Sequence, residues 1–267
     1  MKKILLLAGL LATQFSFAQH KMNALELEIN AGPSFSSLLN AKSPFATLRP
    51  RAGIQVGFTT ALSVQYLFAP HFAVQTGVVY EEKGARVKAS ATVRNERGWS
   101  RSEFSRKVDN DYLTLPLLLS WQTTGRLGFG VRAGGFVSVL LNARISGKDS
   151  RTGVSYYRPP NSLPSIPGGN SSRSEFTADG TSQTFSTEYG GSFGGTVFYA
   201  LNEKLKLSLN ALLNVSLRQL DKTYDNDLVI LASSTDFIRY QHDYMGLSSR
   251  ARNISLPVSL GVSYQLF

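Results

Sequence analysis

Apolar residues fall at every second position in runs longer than soluble strands normally reach, and this alternation constrains the fold more than any motif. From Ile254 the even positions read Ile254, Leu256, Val258, Leu260, Val262, Tyr264 and Leu266, while Ser255, Pro257, Ser259, Gly261, Ser263 and Gln265 fill the odd ones. Between residues 204 and 217 the same rhythm runs in the other parity, with Leu205, Leu207, Leu209, Leu213, Val215 and Leu217 against Lys204, Lys206, Ser208, Asn210, Asn214 and Ser216. A helical repeat of 3.6 residues cannot produce this pattern. Six further segments share it, at about 24–36, 52–69, 72–83, 111–122, 126–143 and 187–201, which predicts eight strands.

The connections order these strands. Ala69-Pro70-His71, Thr123-Thr124-Gly125 and the turn around Asn202-Glu203 are short. The stretches at roughly 37–51, 84–110, 144–186 and 218–250 are long and rich in Gly, Ser, Asn, Arg and Asp, a loop composition. Strict alternation of short and long connections fits an antiparallel up-and-down barrel with short turns at one rim and long loops at the other. The expected fold class is therefore all-β, an eight-stranded antiparallel up-and-down transmembrane β-barrel.

A water-soluble barrel would place its apolar face inside, whereas a membrane barrel places it outside. Here the polar face is mostly Gly, Ser, Thr, Asn and Gln, poor in the Lys and Glu of a solvated exterior. Tyr66, Phe68, Phe72, Tyr80, Trp121, Tyr199 and Tyr264 fall on the apolar face toward strand ends, where interfacial girdles belong. The N-terminus agrees: Lys2 and Lys3, an apolar run from Ile4 to Ala12, then Ser16-Phe17-Ala18, the pattern of a secretory signal peptide. Residues 1–18 are thus expected to be the signal peptide, cleaved near Ala18, and residues 19–267 the barrel, located in the outer membrane. Removing Lys2 and Lys3 leaves 26 basic residues against 18 acidic ones, a net charge of +8.

Six charged residues share the lumen face in this scheme: Glu26, Glu28, Glu81, Arg132, Glu188 and Lys206. Eight strands leave an interior just wide enough for side chains. The expectation is a satisfied ion network, because an unpaired charge there is costly. A small-solute channel is the alternative. Lys83 and Gly84 are expected at the exit from strand to loop, and Pro116, lacking an amide donor, predicts a bulge or break in its strand.

Chemistry of other kinds finds little support. The sequence has no cysteine and hence no disulfide, thiolate metal site or cysteine nucleophile. His20 and His71 read as incidental. His242-Asp243 with Ser248 and Ser249 could supply a base, an orienter and a nucleophile for a lipid A-modifying enzyme, but lies on a long loop rather than on rigid strands. Asp221, Asp225 and Asp227 suggest calcium, yet Val229 and Ile230 stand where an EF-hand wants an oxygen ligand and Gly. Gly190-Gly191-Ser192-Phe193-Gly194-Gly195 lacks the following helix of a phosphate cradle. The chain is read as non-catalytic, with no cofactor, no metal and no nucleic-acid partner.

Charge points instead to the outer surface. The second long connection carries Arg86, Lys88, Arg94, Arg97, Arg101, Arg106 and Lys107 against Glu96, Glu103 and Asp109, with Trp99 near its tip. Arg94, Arg97, Arg101 and Trp99 are the candidate contacts for lipopolysaccharide phosphates or a protein partner, since guanidinium geometry suits phosphate. Tyr156, Tyr157 and Arg158 in the third long connection could anchor a protein.

Tyr80-Glu81-Glu82-Lys83-Gly84, followed by Asp111-Tyr112-Leu113-Thr114-Leu115-Pro116-Leu117-Leu118-Leu119, resembles the PorT-like outer-membrane β-barrel family. Gly32-Pro33-Ser34-Phe35-Ser36 resembles its first strand, Gly128–Leu141 its glycine-rich fifth, and Asn253–Phe267 its closing strand. The resemblance implies an outer-membrane barrel with an envelope-structural or loop-mediated binding role. It also implies a link to type IX protein secretion, with envelope or secretion-system proteins as partners beside the membrane lipids.

Overall fold

The computed structural model describes residues 23–39, 51–95, 98–157, 166–179, 184, 186–219 and 251–266. Nine strands follow one another: β1 (Ala24–Leu39), β2 (Arg51–Leu67), β3 (Phe72–Asn95), β4 (Gly98–Gln122), β5 (Leu127–Tyr157), β6 (Ile166–Asp179), β7 (Thr187–Ala200), β8 (Leu205–Ser216) and β9 (Arg252–Gln265). All pairings are antiparallel, and the order β4-β3-β2-β1-β9-β8-β7-β5 closes on itself through β4 and β5. The ring is an eight-stranded barrel. β6 stands outside it, paired along the outer part of β5 from Arg144↔Asp179 to Tyr157↔Ile166.

Burial decides which face meets lipid. Leu260 is 71% exposed, Ile29 65% and Leu117 64%, whereas their neighbours Ser259, Glu28 and Leu118 are buried. Apolar side chains thus point away from the barrel and Ser, Asn, Gln and Thr fill it, the inverse of a soluble protein and the arrangement of a membrane barrel. Among the described residues no helix is long and apolar enough to cross a membrane. The wall aromatics Tyr66, Phe68, Phe72, Tyr199 and Tyr264 are all exposed at the short-turn end. Phe68 stacks on Phe72 with ring centres 6.3 Å apart, and Trp121 meets Phe129 edge-on at 5.7 Å.

The short turns hold as their residues dictate. Asn202 Oδ1 accepts the amides of Lys204 and Leu205 at 2.9 and 2.8 Å, an Asx turn. Gly125 takes φ 132°, a conformation open to glycine and closed to most residues, where the chain reverses after Thr123.

The long connections differ from the sequence expectation. Residues 84–95, 98–110 and much of 144–186 are strand, not irregular loop: β3, β4 and β5 continue without interruption for 24, 25 and 31 residues. Their outer parts pair as a ladder from Gly84↔Asp109 to Asn95↔Gly98, with β5 and β6 alongside. Twelve residues beyond Lys83 at about 3.3 Å each carry β3 about 40 Å along its own length past that residue. The Ser-, Arg- and Gly-rich composition of these outer parts reads as loop, and it outweighs the alternation of Ala85, Val87, Ala89, Ala91 and Val93 in β3. Cross-strand ion pairs stitch this sheet: Lys148 to Glu175 at 2.9 Å, with Arg173 on the same carboxylate at 3.3 Å. The Lys148 hydrogen bond and charge hold the Glu175 carboxyl below its ordinary range.

Two irregularities re-phase the wall. Four residues of β2 (55–58) face three of β3 (82–84), and Leu141 of β5 is left between Asp111↔Asn142 and Tyr112↔Leu140. Below that second bulge the even residues of β5 point inward; above it Ala143 and Ile145 do. Pro116 faces the lumen opposite Phe136 in normal register with β5, while its ladder to β3 is interrupted between Thr76↔Leu117 and Val79↔Thr114. There Thr76 Oγ1 donates to the Pro116 carbonyl at 2.8 Å. The proline therefore breaks the ladder locally without a bulge.

A charge on the exposed face of the spanning part should be expensive. Leu117→Arg is expected to cost about 2–4 kcal/mol in a urea titration of vesicle-refolded barrel, and an unchanged midpoint would contradict lipid exposure of that face.

Candidate functional site: the lumen and the outer sheet

The lumen is filled in layers from the short-turn end outward. Ala24, Leu67 and Ala73 close its floor, and Gln65 Nε2 donates to Gln122 Oε1 above them at 3.1 Å. Lys206 Nζ then binds Glu26 Oε1 and lies over the Phe198 ring at 5.5 Å. Glu28 Oε1 accepts from Ser208 Oγ at 2.6 Å and Asn210 Nδ2 at 2.8 Å, while Arg132 NH2 stands 3.8 Å from Glu28 Oε2.

Glu26 and Glu28 come from β1 and Lys206, Ser208 and Asn210 from β8, which are not neighbours. β9 lies between them and pairs with both, through Glu28↔Ser263 and Lys206↔Ser263. The inward residues of β9 are small, and at Gly261 a Cβ would sit 2.6 Å from Ser208 Oγ and 2.7 Å from Glu28 Oε1. Glycine at that position leaves the space in which the two side chains meet across an intervening strand.

Farther out, a second cluster centres on Lys83. Its ammonium lies 3.6 Å from Glu81 Oε2 and 3.6 Å from Glu188 Oε1, and 5.1 and 5.0 Å from the ring centres of Tyr112 and Phe136. Ser34 Oγ donates to Glu81 Oε1 at 2.7 Å, and Asn253 Nδ2 donates to Glu188 Oε2 at 3.2 Å. Leu38, Ala85, Val87, Val108, Ile145 and Ala251 form an apolar cluster over this layer, sealing the outer end.

All six lumen candidates are thus inside, in two groups: Glu26, Glu28, Arg132 and Lys206 toward the floor, Glu81 and Glu188 higher up. Sequence reasoning missed the cation that joins the second group. Lys83 was expected at the strand's exit; instead it is 2% exposed and β3 continues twelve residues beyond it. Its parity with Glu81, two residues earlier, was the available signal. Chemically the arrangement holds charge in place. Among the described residues no three His, Cys, Asp or Glu side chains gather to hold a metal ion, and His71 sits at the short-turn rim with Nδ1 3.0 Å from the Gln122 carbonyl.

The outer candidates lie on the projecting sheet. Arg94 of β3 pairs with Trp99 of β4, and Thr92 pairs with Arg101, so positions 94, 99 and 101 share one face. Arg101 NH2 is 2.6 Å from Glu103 Oε1, both side chains half exposed. Arg106, counted by sequence among the loop charges, is 3% exposed and withdrawn from the surface. Tyr156 and Tyr157 continue β5, paired with Pro167 and Ile166. Arg97, Arg158, the signal-peptide segment, His20, Asp221, Asp225, Asp227, His242, Asp243, Ser248 and Ser249 lie outside the described residues.

With closure, inverted burial and a packed lumen established, the family follows from sequence comparison. The outer membrane protein beta-barrel domain family matches residues 17–222. The chain belongs to this family. It is an outer-membrane β-barrel protein, and no curated protein matches it in sequence. Among solved structures it is similar to OprG from Pseudomonas aeruginosa, with 11% identity and a TM-score of 0.39 over 92% of this chain and 97% of that one. Similar too are Ail, the attachment invasion locus protein of Yersinia pestis (9%, 0.33, over 92% and 100%), and the outer membrane protease OmpT from Escherichia coli (7%, 0.34, over 94% and 100%). Superposition scores this low carry no argument about role.

The Lys83 cluster should be structural. Lys83→Met leaves Glu81 and Glu188 facing each other in the packed lumen, and a loss of about 3–5 kcal/mol is expected in equilibrium unfolding. Adding Glu188→Gln should recover part of it; equal stabilities of the single variant and the native chain would show the cluster to be solvated.

Proposed function

We propose that this outer-membrane barrel is a non-catalytic anchor that presents its projecting β-sheet to anionic surface chemistry, lipopolysaccharide phosphates first among it. The observation that carries this reading is the sheet's charge. Residues 84–110 and 144–179 hold twelve basic residues against six acidic ones, most of the excess of the exported chain. Held on a paired ladder rather than on irregular loops, Arg86, Lys88, Arg101, Lys148, Arg151 and Arg173 keep fixed spacings.

The sealed lumen supports the same reading over a channel. An apolar cap, a charged middle and an apolar floor occupy the lumen, so reconstituted protein is expected to show no steady conductance. A lipid-modifying reading rests on His242 and Ser248; His242→Ala is expected to leave the lipid A mass spectrum unchanged. The resemblance to PorT-like barrels supports a version in which the sheet's partner is a secretion protein. Gene deletion with proteomics of medium against periplasm tests it, and retention of type IX cargo in the periplasm would favour it.

The binding reading is tested directly by replacing Arg94, Arg97 and Arg101 together with Gln. Lipopolysaccharide binding to the full-length barrel should weaken about three- to tenfold, and its salt dependence should flatten. Unchanged affinity would refute the role of this face.

A further inference from the structure

We infer that the free edge of β6 is a homotypic contact, through which two copies of this chain in facing outer membranes pair their β6 strands antiparallel and join their projecting sheets. β6 and β7 lie on the same side of β5, β7 along its inner part and β6 along its outer part. Beside β7 the next place is filled by β8. Beside β6 it is not: from Ile166 to Asp179 the second edge has no partner strand among the described residues.

Natural sheets blunt a free edge with proline, lysine, a bulge or a very short strand. β6 is fourteen residues long, holds no lysine, and carries its one proline, Pro167, at the far end. Its ladder to β5 runs without a register shift, and residues 171–175 are exposed. Such an edge is a template for another strand. Charge selects which strand. Arg173 and Glu175 share the outward face, opposite Ser150 and Lys148 of β5, with 68% and 55% of their side chains exposed. When two β6 strands meet antiparallel with Ser174 on the two-fold axis, Arg173 of each copy stands opposite Glu175 of the other. Moving the axis one residue either way sets Arg173 against Arg173 or Glu175 against Glu175, and like charges so placed repel. The strand is thus complementary to itself in one register, as an isologous contact requires.

Strand direction decides where the second copy stands. β6 runs from the tip of the sheet, opposite Tyr157, down to the barrel, opposite Arg144. An antiparallel partner runs the other way, so its barrel lies beyond the tip, in a membrane facing the first. A copy in the same membrane would bring its β6 alongside in parallel, and a two-fold along the membrane normal would set Arg173 against Arg173. In the antiparallel register Asp179 of each copy stands opposite Gly169 of the other, so the two Asp179 positions are separated by ten residues, about 33 Å at about 3.3 Å each. The contact uses the backbone edge and stands apart from phosphate binding by the face of the sheet.

The full-length barrel, inserted from outside into phospholipid vesicles of two dye colours so that the polar sheet stays outside, tests the contact with no other protein present. Native vesicles should cluster, read as two-colour coincidence. Arg173→Glu vesicles and Glu175→Arg vesicles should each cluster about tenfold less with their own kind. An equal mixture of the two should recover native clustering, because each variant then meets its complement. The chain has no cysteine, so Ser174→Cys with a short bismaleimide should join chains of different vesicles. Gly169→Cys, where a Cβ meets nothing within 4 Å, should not cross-link. Native vesicles that stay dispersed, or cross-links confined to chains of one vesicle, would overturn the inference. So would a mixture that fails to recover although both variants keep their folded mobility on unheated gels. Arg94→Gln, Arg97→Gln and Arg101→Gln together should leave clustering unchanged, so failure of the sheet's binding role and failure of this contact remain separate results.

Discussion

Inside lipid no water is available to a backbone amide or carbonyl, and the need to satisfy every such group within the protein governs this molecule. A sheet meets that need only by closing, and the β4–β5 pairing removes the last free edge of the ring. Closure by eight strands then dictates the interior. The cylinder is too narrow for a water column through packed side chains, so an inward position is small and polar, or charged and paired, or an apolar side chain packed against these, as Phe136 and Phe198 are against Lys83 and Lys206. β9 shows the consequence: its inward residues are Asn253, Ser255, Pro257, Ser259, Gly261 and Ser263, and charged side chains of flanking strands reach over them.

Once past the hydrocarbon layer the constraint lapses, and the same strands behave differently. β3, β4 and β5 continue as a ladder that β6 joins, although no ring closes there among the described residues and the outer edges of β3 and β6 have no described partner strand. Water satisfies the open edges, so the ladder persists on cross-strand hydrogen bonds and ion pairs such as Lys148 with Glu175. Stability resides mainly in the closed part. The projecting part can therefore tolerate a one-signed surface, with its self-repulsion, that the barrel proper could not contain.

How much of this was legible in the sequence follows from the same division. In the spanning segments one face must be apolar, so period-2 alternation marked eight strands and the short turns placed them; Leu260 against Ser259 carries that information outright. Inward charges could be read by parity, as with Glu26, Glu28 and Lys206. Parity failed where a bulge intervened or where composition misled. Lys83 shares its parity with Glu81 but stands beside Gly84 in a sequence that looks like a loop start, and Leu141 shifts the phase of β5 with no apolar marker. β6 and the outer halves of β3–β5 went unread because their Arg-, Ser- and Gly-rich composition looks like loop, although Ala85, Val87, Val108 and Ile145 there are buried. The Glu82–Asp111 confrontation was beyond sequence too, since it depends on a register fixed 29 residues apart along the chain.

The two kinds of charge in this protein also explain each other's placement. In the lumen, acids and bases alternate closely enough that Glu28 is shared by Ser208, Asn210 and Arg132, and any unmatched group would face the full cost of desolvation. On the projecting sheet, solvent and salt screen each charge, so an excess of cations costs little and remains available for binding. The rim between them is the intermediate case. There Glu82 and Asp111 are too exposed to force a lumen-like network and too close to the apolar belt for free solvation. A like-charged pair survives at that height because Tyr80 hydrogen-bonds to both carboxylates and both keep contact with water.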